Sequence, residues 1–536
     1  MIRSLGRSKA FANLSRLHRI VLNADRHGVP SDEAVQHFDE AVAADRSRRR
    51  VLSTVAAGSL LAVAPFSRSL ATPASPEVAV VGAGFAGLYA GYVLAKKGVS
   101  AQVYEASGHV GGRVASLRGV FSGQVAERGA ELIDTTHVTL RNLAVGFGLT
   151  LEDYNKQPGE EFFFFDGKLF REAQVVDEYR AFTLAMNNDL KKLSNGPTAD
   201  NFTAFDRELD FTTLRDYLRS RGAGPLISQV LNTGYTIEFG RESDRQSALS
   251  LLLFAKASRS SVFKPFGVFS DERFHIVEGN DRVATGLQGL LPTPVALNHR
   301  LVRVTKRADG RITLAFSVGG KIVERVHSAV ILTLPAPVMR GIEFDASLGL
   351  PVTKRDAIAR FDYGTNSKLM IGFKGRPWYE QLNCNGGSYS DLANHQNTWE
   401  TNPKLAQFGV RGVITDYSGG DRGARLDPTQ LQSEAKNFLA DLEKVWPGTT
   451  RFAARDSRGN VVAWLDNWVR DPLFGGAYTN NQPGYFTTLE GRYAKPVGNL
   501  FFAGEHTDSF YSYQGFMEGA LLSGARAADE AWRLLR

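Results

Sequence analysis

The chain has 536 residues, of which 43% are hydrophobic and 22% charged, and its formal net charge is +7. This composition predicts a globular protein of two or three domains with a large buried core. Residues 1–71 hold 11 basic and 6 acidic side chains, so most of the excess charge lies there and the body gives no electrostatic case for a nucleic-acid partner. Cys384 is the only cysteine, which excludes an intrachain disulfide and a cysteine-based metal site, and no histidine spacing predicts a metal site.

The first predicted element is an export leader over residues 1–71. Arginines at 48–50 precede a short apolar run at 55–64 and a small-residue exit, an order typical of an export signal. The paired arginines resemble the twin-arginine type, and the apolar run is too short to cross a bilayer. Two amphipathic helices are predicted before the arginines, over residues 10–23 and 31–44. We expect a periplasmic or secreted protein; the alternative is a cytoplasmic protein with a helical extension.

A complete βαβ unit follows the leader. Residues 78–87 form an apolar strand that runs into Gly82, Gly84 and Gly87, spaced G-x-G-x-x-G. A helix and a second strand then lead to Glu105, which is placed to accept hydrogen bonds from a ribose. The first glycine makes the tight turn, the second lets backbone approach a pyrophosphate, and the third lets helix and strand pack closely. The unit predicts an adenine dinucleotide at the helix N-terminus.

The rest of the nucleotide domain is predicted to be discontinuous in the chain. Residues 111–113, Gly-Gly-Arg, place a tight backbone and a cation where a pyrophosphate would lie. Residues 125–133 are predicted to form a strand with a closely packed glycine. The domain resumes near residues 275–282, with strands predicted at 302–304, 312–318, 326–334 and 499–507 and a final helix at 515–535.

A second domain is predicted to interrupt the first one twice. Residues 137–147 have a helical pattern, and residues 161–170 form a hairpin with an Asp-Gly turn. Helical patterns continue to about residue 257. In the second insertion we expect a strand at 365–373 and a helix at 430–445.

These segments together resemble the flavin-containing amine oxidase family, which includes monoamine, polyamine and L-amino acid oxidases. The resemblance covers residues 77–536, and nicotinamide dehydrogenases share only its first motif. It implies an α/β fold in which a Rossmann-like FAD-binding domain carries an inserted α+β substrate-binding domain. The motifs are the glycine fingerprint with Glu105, residues 111–113, 127–130 and 367–368, and residues 502–507 with 515–520. The FAD-binding domain comprises residues 76–135, 270–345 and 490–536, and the substrate-binding domain 136–269 and 346–489.

The resemblance implies FAD as cofactor. Glu105 is expected at the ribose, Arg113 near the pyrophosphate, the Val302 backbone at the adenine, and Glu505 near the phosphates and ribityl chain. Ala477 stands where some members carry a cysteine that binds flavin covalently, so the FAD should be non-covalent. The full set of predicted cofactor-binding residues is Gly82, Gly84, Ala86, Gly87, Glu105, Ala106, Arg113, Gly129, Ala130, Glu131, Leu132, Val302, Glu505, Gly515, Phe516 and Met517.

The resemblance also implies three catalytic residues. Lys368 matches a family lysine that a water bridges to flavin N5, and a buried ammonium could assist oxygen reduction or activate the water that hydrolyses the imine. Tyr478 and Phe516 match two aromatic walls that orient an amine beside the flavin. From residue types alone, Lys368 is a solvated strand end and Phe516 an ordinary core residue.

The substrate is expected to be a small-molecule amine, with O2 as acceptor. Many L-amino acid oxidases carry an arginine directly after the Gly-Ala pair, to bind the substrate carboxylate. Here Glu131 stands in that place, which suits a cationic amine or a basic side chain. We therefore expect an L-amino acid oxidase of basic or broad range; the alternatives are a mono-, di- or polyamine oxidase and a flavin desaturase or porphyrinogen-type oxidase. Hydrogen peroxide is an expected product.

Overall fold

A computed structural model describes residues 77–153, 159–260, 272–402 and 411–536, together with nine positions between 17 and 35. The predicted signal at 48–71 and most of the two leader helices lie outside the described residues. The strands are β1 (Val78–Val81), β2 (Ala101–Tyr104), β3 (Ser116–Leu117), β4 (Ala126–Glu127), β5 (Leu151–Asp153), β6 (Glu160–Phe165), β7 (Lys168–Phe170), β8 (Phe274–Ile276), β9 (Arg300–Lys306), β10 (Ile312–Val318), β11 (Lys321–His327), β12 (Ala329–Leu332), β13 (Glu343–Phe344), β14 (Ser367–Phe373), β15 (Cys384–Ser390), β16 (Asn397–Glu400), β17 (Gly412–Ser418), β18 (Ala463–Asn467) and β19 (Leu500–Phe502).

The helices of the described residues lie between these strands. Most of them belong to the segment between β7 and β8 or to the chain's second half. They are α1 (Phe85–Lys96), α2 (Val138–Gly146), α3 (Glu172–Lys192), α4 (Ala204–Phe211), α5 (Leu214–Ser220), α6 (Pro225–Phe239), α7 (Leu249–Ser260), α8 (Asp281–Leu290), α9 (Ala336–Met339), α10 (Val352–Arg360), α11 (Pro377–Glu380), α12 (Gly420–Arg425), α13 (Leu431–Val445), α14 (Tyr485–Thr488) and α15 (Met517–Leu534).

A parallel sheet in the order β19-β12-β1-β2 forms the nucleotide half of the molecule. Val78 pairs with Ala101 of β2 and with Ala329 of β12. All four residues of β1 are buried, as expected for a strand covered on both faces. Helices α1 and α15 pack together on this sheet, and a Cβ at Gly524 would lie 2.2 Å from the Ala86 carbonyl. The carboxyl ends of the strands meet at one edge, where ligands bind in such folds.

A second sheet, in the order β18-β14-β17-β16-β15-β6-β7, forms the base of the other half. Strand β14 is buried along its whole length, between β17 and β18. Lys368 lies opposite Tyr417 of β17, and Tyr417 also lies opposite Asn397 of β16. Since paired residues project to the same face and side chains alternate along a strand, Lys368, Tyr417 and Trp399 share one face.

Most predicted elements are present in the structure. The Asp-Gly turn is confirmed, because Asp166 and Gly167 have φ values of 50° and 71° between β6 and β7. The helices at α2 and α13 and the strand at β14 also match the predictions within two residues. The long final helix is confirmed as α15.

Three predicted strands are wrong in extent. Of the predicted strand 499–507 only Leu500–Phe502 is a strand, because the chain turns at Gly504, with φ 122°, into a short 3-10 helix at Glu505–Thr507. Only Ala126–Glu127 of the predicted strand 125–133 is a strand, because the next turn bends so that Ala130 donates to the Arg113 carbonyl. The predicted strand 326–334 is two strands, since the chain passes at Ser328 from β11, antiparallel to β10, into β12, parallel to β1.

Part of the predicted leader packs on the body. Leu17, Ile20 and Val21 are at most 1% exposed and belong to the same buried cluster as Tyr179 of α3. The guanidinium of Arg180 donates to the Val29 carbonyl at 3.0 Å. The segment before the arginine motif is therefore packed into the core at these positions. Among the described residues, no helix has the length and apolarity that a membrane crossing requires.

Candidate active site

A single deep cleft brings most of the predicted site residues together. It begins at the carboxyl edge of the parallel sheet, reaches the Lys368 face of the second sheet, and contains about 1680 Å³ of empty space, part of it open to solvent. Its lining reaches from the glycine loop to Lys368 and Tyr478, an extent that suits a dinucleotide with a substrate. Gly87 and Val302 are not among its lining residues. The predicted residues that line it are Gly82, Gly84, Ala86, Glu105, Ala106, Arg113, Gly129, Ala130, Glu131, Leu132, Lys368, Tyr478, Glu505, Gly515, Phe516 and Met517.

Each of the three fingerprint positions requires glycine for a different structural reason. Gly82 has φ +105°, and a Cβ there would lie 2.4 Å from Thr333 Oγ1. A Cβ at Gly87 would lie 1.9 Å from the Gly82 carbonyl oxygen, so α1 and β1 touch backbone to backbone. A Cβ at Gly84 would meet no other part of the protein closer than 3.9 Å. Gly84 is thus free of packing constraints and faces the cleft, as a phosphate approach requires.

Glu105 lies at the end of β2 and stabilises the glycine loop. One carboxylate oxygen accepts a hydrogen bond from the Ala83 amide at 2.7 Å, and the other accepts from the Ser107 amide at 2.8 Å. Each carboxylate oxygen has more than one lone pair. Glu105 can therefore hold the loop and still accept from a ribose hydroxyl.

An ion pair crosses the cleft wall between Arg113 and Glu505. Arg113 Nη1 donates to Glu505 Oε1 at 2.9 Å and to the Ala477 carbonyl at 2.8 Å. Burial would raise the pKa of Glu505, but the charge of Arg113 and a hydrogen bond from Thr479 lower it below its usual value. The carboxylate is therefore ionised and fixed, and it neutralises the arginine that was predicted to face a pyrophosphate.

A buried histidine supports this pair from behind. Tyr363 and His506 are joined by a 2.9 Å hydrogen bond between the phenol and Nδ1. Burial lowers the pKa of His506 to about 3, so the imidazole is neutral at physiological pH. Its role is to orient Tyr363, whose ring lies 5.0 Å from the Arg113 guanidinium.

Lys368 is a buried ammonium with a complete set of acceptors. Its Nζ lies 2.6 Å from Glu131 Oε2, 2.8 Å from the Gly129 carbonyl and 3.1 Å from the Glu127 carbonyl. The lysine residue is 5% exposed. The view of Lys368 as a solvated strand end is therefore wrong, because β14 is an interior strand. The water bridge to a flavin stays a prediction.

Glu131 serves Lys368 and does not stand free in the cleft. Its other carboxylate oxygen accepts a 3.1 Å hydrogen bond from the indole N–H of Trp399. The sequence suggested Glu131 as a partner for a cationic substrate. In the structure both oxygens have protein partners, and the positive charge beside Glu131 belongs to Lys368.

Glu127 is a second buried carboxyl group beside this pair. It accepts hydrogen bonds from the Asn280 amide at 2.9 Å and from the Ser116 hydroxyl at 2.8 Å. Burial raises the pKa of Glu127 to about 8, with a smaller contribution from Glu131. The Glu127 carboxyl group therefore holds a proton near neutral pH.

Aromatic side chains line the cleft beyond Lys368. The Tyr417 hydroxyl donates to the Tyr478 hydroxyl at 3.0 Å, which donates to the Glu238 carbonyl at 2.8 Å. Trp399 meets Tyr417 edge to face, with 5.3 Å between ring centroids. Phe516 is buried next to His137. Tyr478 is thus held in one orientation, as an aromatic wall requires.

Sequence reasoning missed two residues of this wall, Trp399 and Tyr417. Neither lies in a recognised motif, and their strands were not predicted. The alternation of β17 could have identified Tyr417 as an inward residue, but only the pairing of β14 with β17 places it beside Lys368. Trp399 needed the further pairing of β16 with β17.

The cleft fits an adenine dinucleotide and a flavin. The open approach at Gly84 and the helix N-terminus of α1 suit a pyrophosphate, and Glu105 suits a ribose. Phe516 precedes the N-terminus of α15, which lines the cleft and directs its positive dipole end there. This is where a flavin ring would gain stabilisation of negative charge.

A family model described as flavin containing amine oxidoreductase matches residues 85–531. The chain belongs to this family. The flavin amine oxidoreductases are oxidoreductases of CH–NH2 groups, and the fold is a Rossmann-like dinucleotide-binding fold with a substrate-binding part. The predicted family resemblance is confirmed.

The chain is similar in sequence to L-amino-acid oxidases and similar in fold to amine oxidases of known structure. An L-amino-acid oxidase of Siganus canaliculatus is 26% identical over 478 residues, which cover 85% of each chain. An L-amino-acid oxidase of Mus musculus is 26% identical over 482 residues, covering 84% of this chain and 70% of its own. Among flavin amine oxidoreductase structures, the cyclohexylamine oxidase of Brevibacterium oxydans superposes with a TM-score of 0.72 at 18% identity, covering 86% of this chain and 99% of its own. A putrescine oxidase bound to putrescine gives 0.69 at 20% identity, covering 85% and 99%.

Proposed function

We propose that the protein is a FAD-dependent oxidase of L-amino acids. Each turnover would convert an L-amino acid, O2 and water into a 2-oxo acid, ammonia and hydrogen peroxide. The observation that carries the proposal is one continuous cleft that joins the Gly84–Glu105 dinucleotide cradle to buried Lys368 and oriented Tyr478. The choice of amino acids is supported by the L-amino-acid oxidases of Siganus canaliculatus and Mus musculus, which match most of the chain.

Residues at the two ends of the cleft would have different roles in this reaction. Glu105 and the glycine loop would bind the adenosine end, while the fixed Arg113–Glu505 pair would border the phosphates and ribityl chain. A bound flavin would supply the hydride acceptor and pass the electrons to O2. Tyr478 would orient the substrate's C–H bond in a site from which bulk water is excluded. Lys368 would hold a proton and a positive charge at Nζ beside the reacting region.

A second candidate is a mono-, di- or polyamine oxidase. An α-amino acid needs a cation for its carboxylate. Of the described cations that line the cleft, Arg113 pairs with Glu505 and Lys368 with Glu131, and the third, Arg300, is exposed. This favours substrates without a carboxylate. Two proteins of the same fold, a putrescine oxidase and a cyclohexylamine oxidase, are named for such amines.

A panel of substrates separates the two candidates. We expect peroxide from L-lysine, L-arginine, L-leucine or L-phenylalanine, and no comparable rate from putrescine, spermidine or cyclohexylamine. The converse pattern would establish the second candidate. Anaerobic bleaching of the flavin by each compound measures the first half of the reaction without O2. If no compound on either panel bleaches the flavin, amine oxidation is not the function.

The cofactor is proposed to be FAD bound without a covalent link. Ala477 lines the cleft and carries no nucleophile, and the Cys384 thiol is buried away from it. Acid precipitation should therefore leave the yellow colour in the supernatant, and the mass of the released compound should be that of FAD. Colour in the pellet, or FMN in the supernatant, contradicts the proposal.

Export through a twin-arginine-like leader is proposed as the route of localisation. The support is the order of residues 48–71: arginines, short apolar run and small residues. Fractionation of cells that produce the full chain should place the enzyme outside the cytoplasm. Replacing Arg49 and Arg50 by lysine should retain it inside. A wild-type chain found in the cytoplasm contradicts the proposal.

A further inference from the structure

We infer that Glu131, braced by Trp399, is a positioning residue that fixes Lys368 as a charged group of constant place and orientation. The inference rests on the proposed oxidase function only in assigning Lys368 to the reacting region. In place of a cation for a substrate, position 131 carries the counter-ion of the lysine. Nothing in the family match or in the names of the similar proteins assigns this role to Glu131.

All three N–H bonds of the Lys368 ammonium have acceptors within the protein. The carboxylate of Glu131 and the carbonyls of Gly129 and Glu127 lie 2.6, 2.8 and 3.1 Å from Nζ. An ammonium has three donors and no acceptor. Acceptors of the protein itself therefore hold the Lys368 ammonium in place, at the wall of the cleft.

The backbone around this pair is rigid. A Cβ at Gly129 would lie 1.9 Å from the Arg113 carbonyl oxygen and 2.9 Å from the Trp468 ring, so the Gly129 carbonyl is locked beside Lys368. On the other side, β14 is hydrogen-bonded to two strands at Lys368 itself, opposite Tyr417 and Asp466. Lys368 therefore cannot move without disturbing a packed sheet.

Glu131 is held as firmly as the lysine. Its second oxygen accepts from the Trp399 indole, and both side chains of the ion pair are 6% exposed. A buried ammonium that loses its counter-ion is strongly disfavoured and gives up its proton at lower pH. Glu131 is thus what keeps a positive charge stable at this depth.

The test uses the flavin-loaded enzyme and needs no amine. The flavin is reduced anaerobically with dithionite and mixed with O2, and its reoxidation is followed by absorbance across pH. We expect Lys368→Met and Glu131→Gln each to slow reoxidation by about tenfold or more. The neighbouring Glu127 carboxyl, whose pKa is raised to about 8, titrates in the same range, so the pH profiles are compared in a Glu127→Gln background. There Glu131→Gln should also lose its rate at lower pH on the alkaline side than its parent. A panel on which no amine bleaches the flavin would refute the proposed function and leave this test intact.

A double-mutant cycle supplies a readout that is independent of activity. The unfolding midpoints of Glu131→Gln, Lys368→Met and the double variant should be non-additive, because each single change leaves one buried group unpaired. Glu400→Gln is the matched control: it breaks the buried Arg376–Glu400 pair, next to Trp399 in the chain and outside the cleft lining. It should lower the midpoint but leave the reoxidation rate and its pH profile unchanged.

Defined results overturn the inference. Reoxidation of Glu131→Gln at the wild-type rate overturns it, and so do additive unfolding midpoints in the cycle. It is also overturned if Glu131→Gln slows reoxidation as much in the Lys368→Met background as in wild type. If Glu131→Gln does not fold, Trp399→Phe decides, since it removes only the brace. It should slow reoxidation and displace the alkaline limb in the same direction, and a wild-type profile in Trp399→Phe refutes the role.

Discussion

At the scale of single residues, the centre of the cleft combines one ammonium with two carboxyl groups. Glu131 takes the ion pair with Lys368, whereas Glu127 bonds to neutral donors, the Ser116 hydroxyl and the Asn280 amide. A carboxyl group that is buried without a cation of its own favours its protonated form. Of these two glutamates, four positions apart in the chain, Glu127 is thus the one whose pKa burial raises.

This difference predicts a pH-dependent stability for Glu127→Gln. The folded-state pKa of Glu127 is raised from 4.5 to about 8, so its contribution to stability is full below pH 4.5 and is lost as the pH rises through about 8. Glutamine resembles the protonated carboxyl group and does not titrate. The unfolding midpoint of the variant minus that of wild type should therefore increase from pH 4.5 to about 8.

Glu278→Gln is the control for this experiment. Despite its partial burial, hydrogen bonds from Thr150 lower the pKa of Glu278 below 4.5. Its contribution is present above that pH and is lost only as the pH falls further. The difference between Glu278→Gln and wild type should thus be constant across the same pH range. A constant difference for Glu127→Gln as well would show that Glu127 is ionised in the folded protein.

At the scale of elements, one glycine between β1 and α1 is required for packing and another for cofactor binding. Gly87 is needed because its Cα lies against the Gly82 carbonyl, whereas Gly84 has open space on its Cβ side. The fingerprint predicted both glycines from one pattern. The structure gives them separate physical reasons.

Two alanine variants should therefore behave differently. Gly84→Ala should unfold at nearly the wild-type midpoint but bind FAD more weakly, because the added methyl group projects toward the place of the pyrophosphate. Gly87→Ala should destabilise the protein itself, with or without FAD, by about 2 kcal/mol or more. Thermal unfolding of the flavin-free and flavin-loaded forms measures both effects. Equal midpoints for the two flavin-free variants would contradict the assignment.

Local patterns were sufficient for the elements that carry motifs, and insufficient for how the sheets assemble. Strand β1, the turn at Asp166 and helix α15 follow from residue spacing and glycine positions. The division of residues 326–334 between two sheets depends on which strands pair with β10 and β1, and no local pattern encodes that. The family resemblance predicted most of the residues that line the cofactor half of the cleft, though not its limits, since Gly87 and Val302 do not line it. Trp399 and Tyr417 were missed because no motif marks their strands.

At the scale of the whole molecule, the N-terminal segment belongs to the core at its described positions. Leu17, Ile20, Val21 and Ala34 are at most 1% exposed and cluster with residues of α3. Cleavage of an export signal near residue 71 would separate these residues from the covalent chain. A protein cleaved there would have to keep its fold without these residues, whereas the structure packs them into the core.

Two substitutions, one in the N-terminal segment and one on the exposed face of α3, measure how much this packing contributes to the free energy of unfolding. Ile20→Asp places an unpaired charge in the core and should lower the free energy of unfolding by about 3 kcal/mol or more. Leu184→Asp changes a residue of α3 that is 65% exposed and should change it by no more than about 0.5 kcal/mol. Denaturant unfolding of the purified protein, with its N-terminus identified by mass spectrometry, makes the comparison. Equal stability of Ile20→Asp and wild type would mean that the segment does not contribute to the fold.

The strand order β19-β12-β1-β2 also has a consequence for biosynthesis. The glycine loop is translated early, but its sheet lacks an edge until β19 has been synthesised, and α15, which packs on α1, follows only after that. In a nascent chain, β12 is without its neighbour β19, and α1 without its neighbour α15, until the last part of translation. We therefore expect cofactor loading late in synthesis, because chains that stop short of residue 500 lack β19 and the cleft residues Gly504, Glu505 and Gly515–Met517.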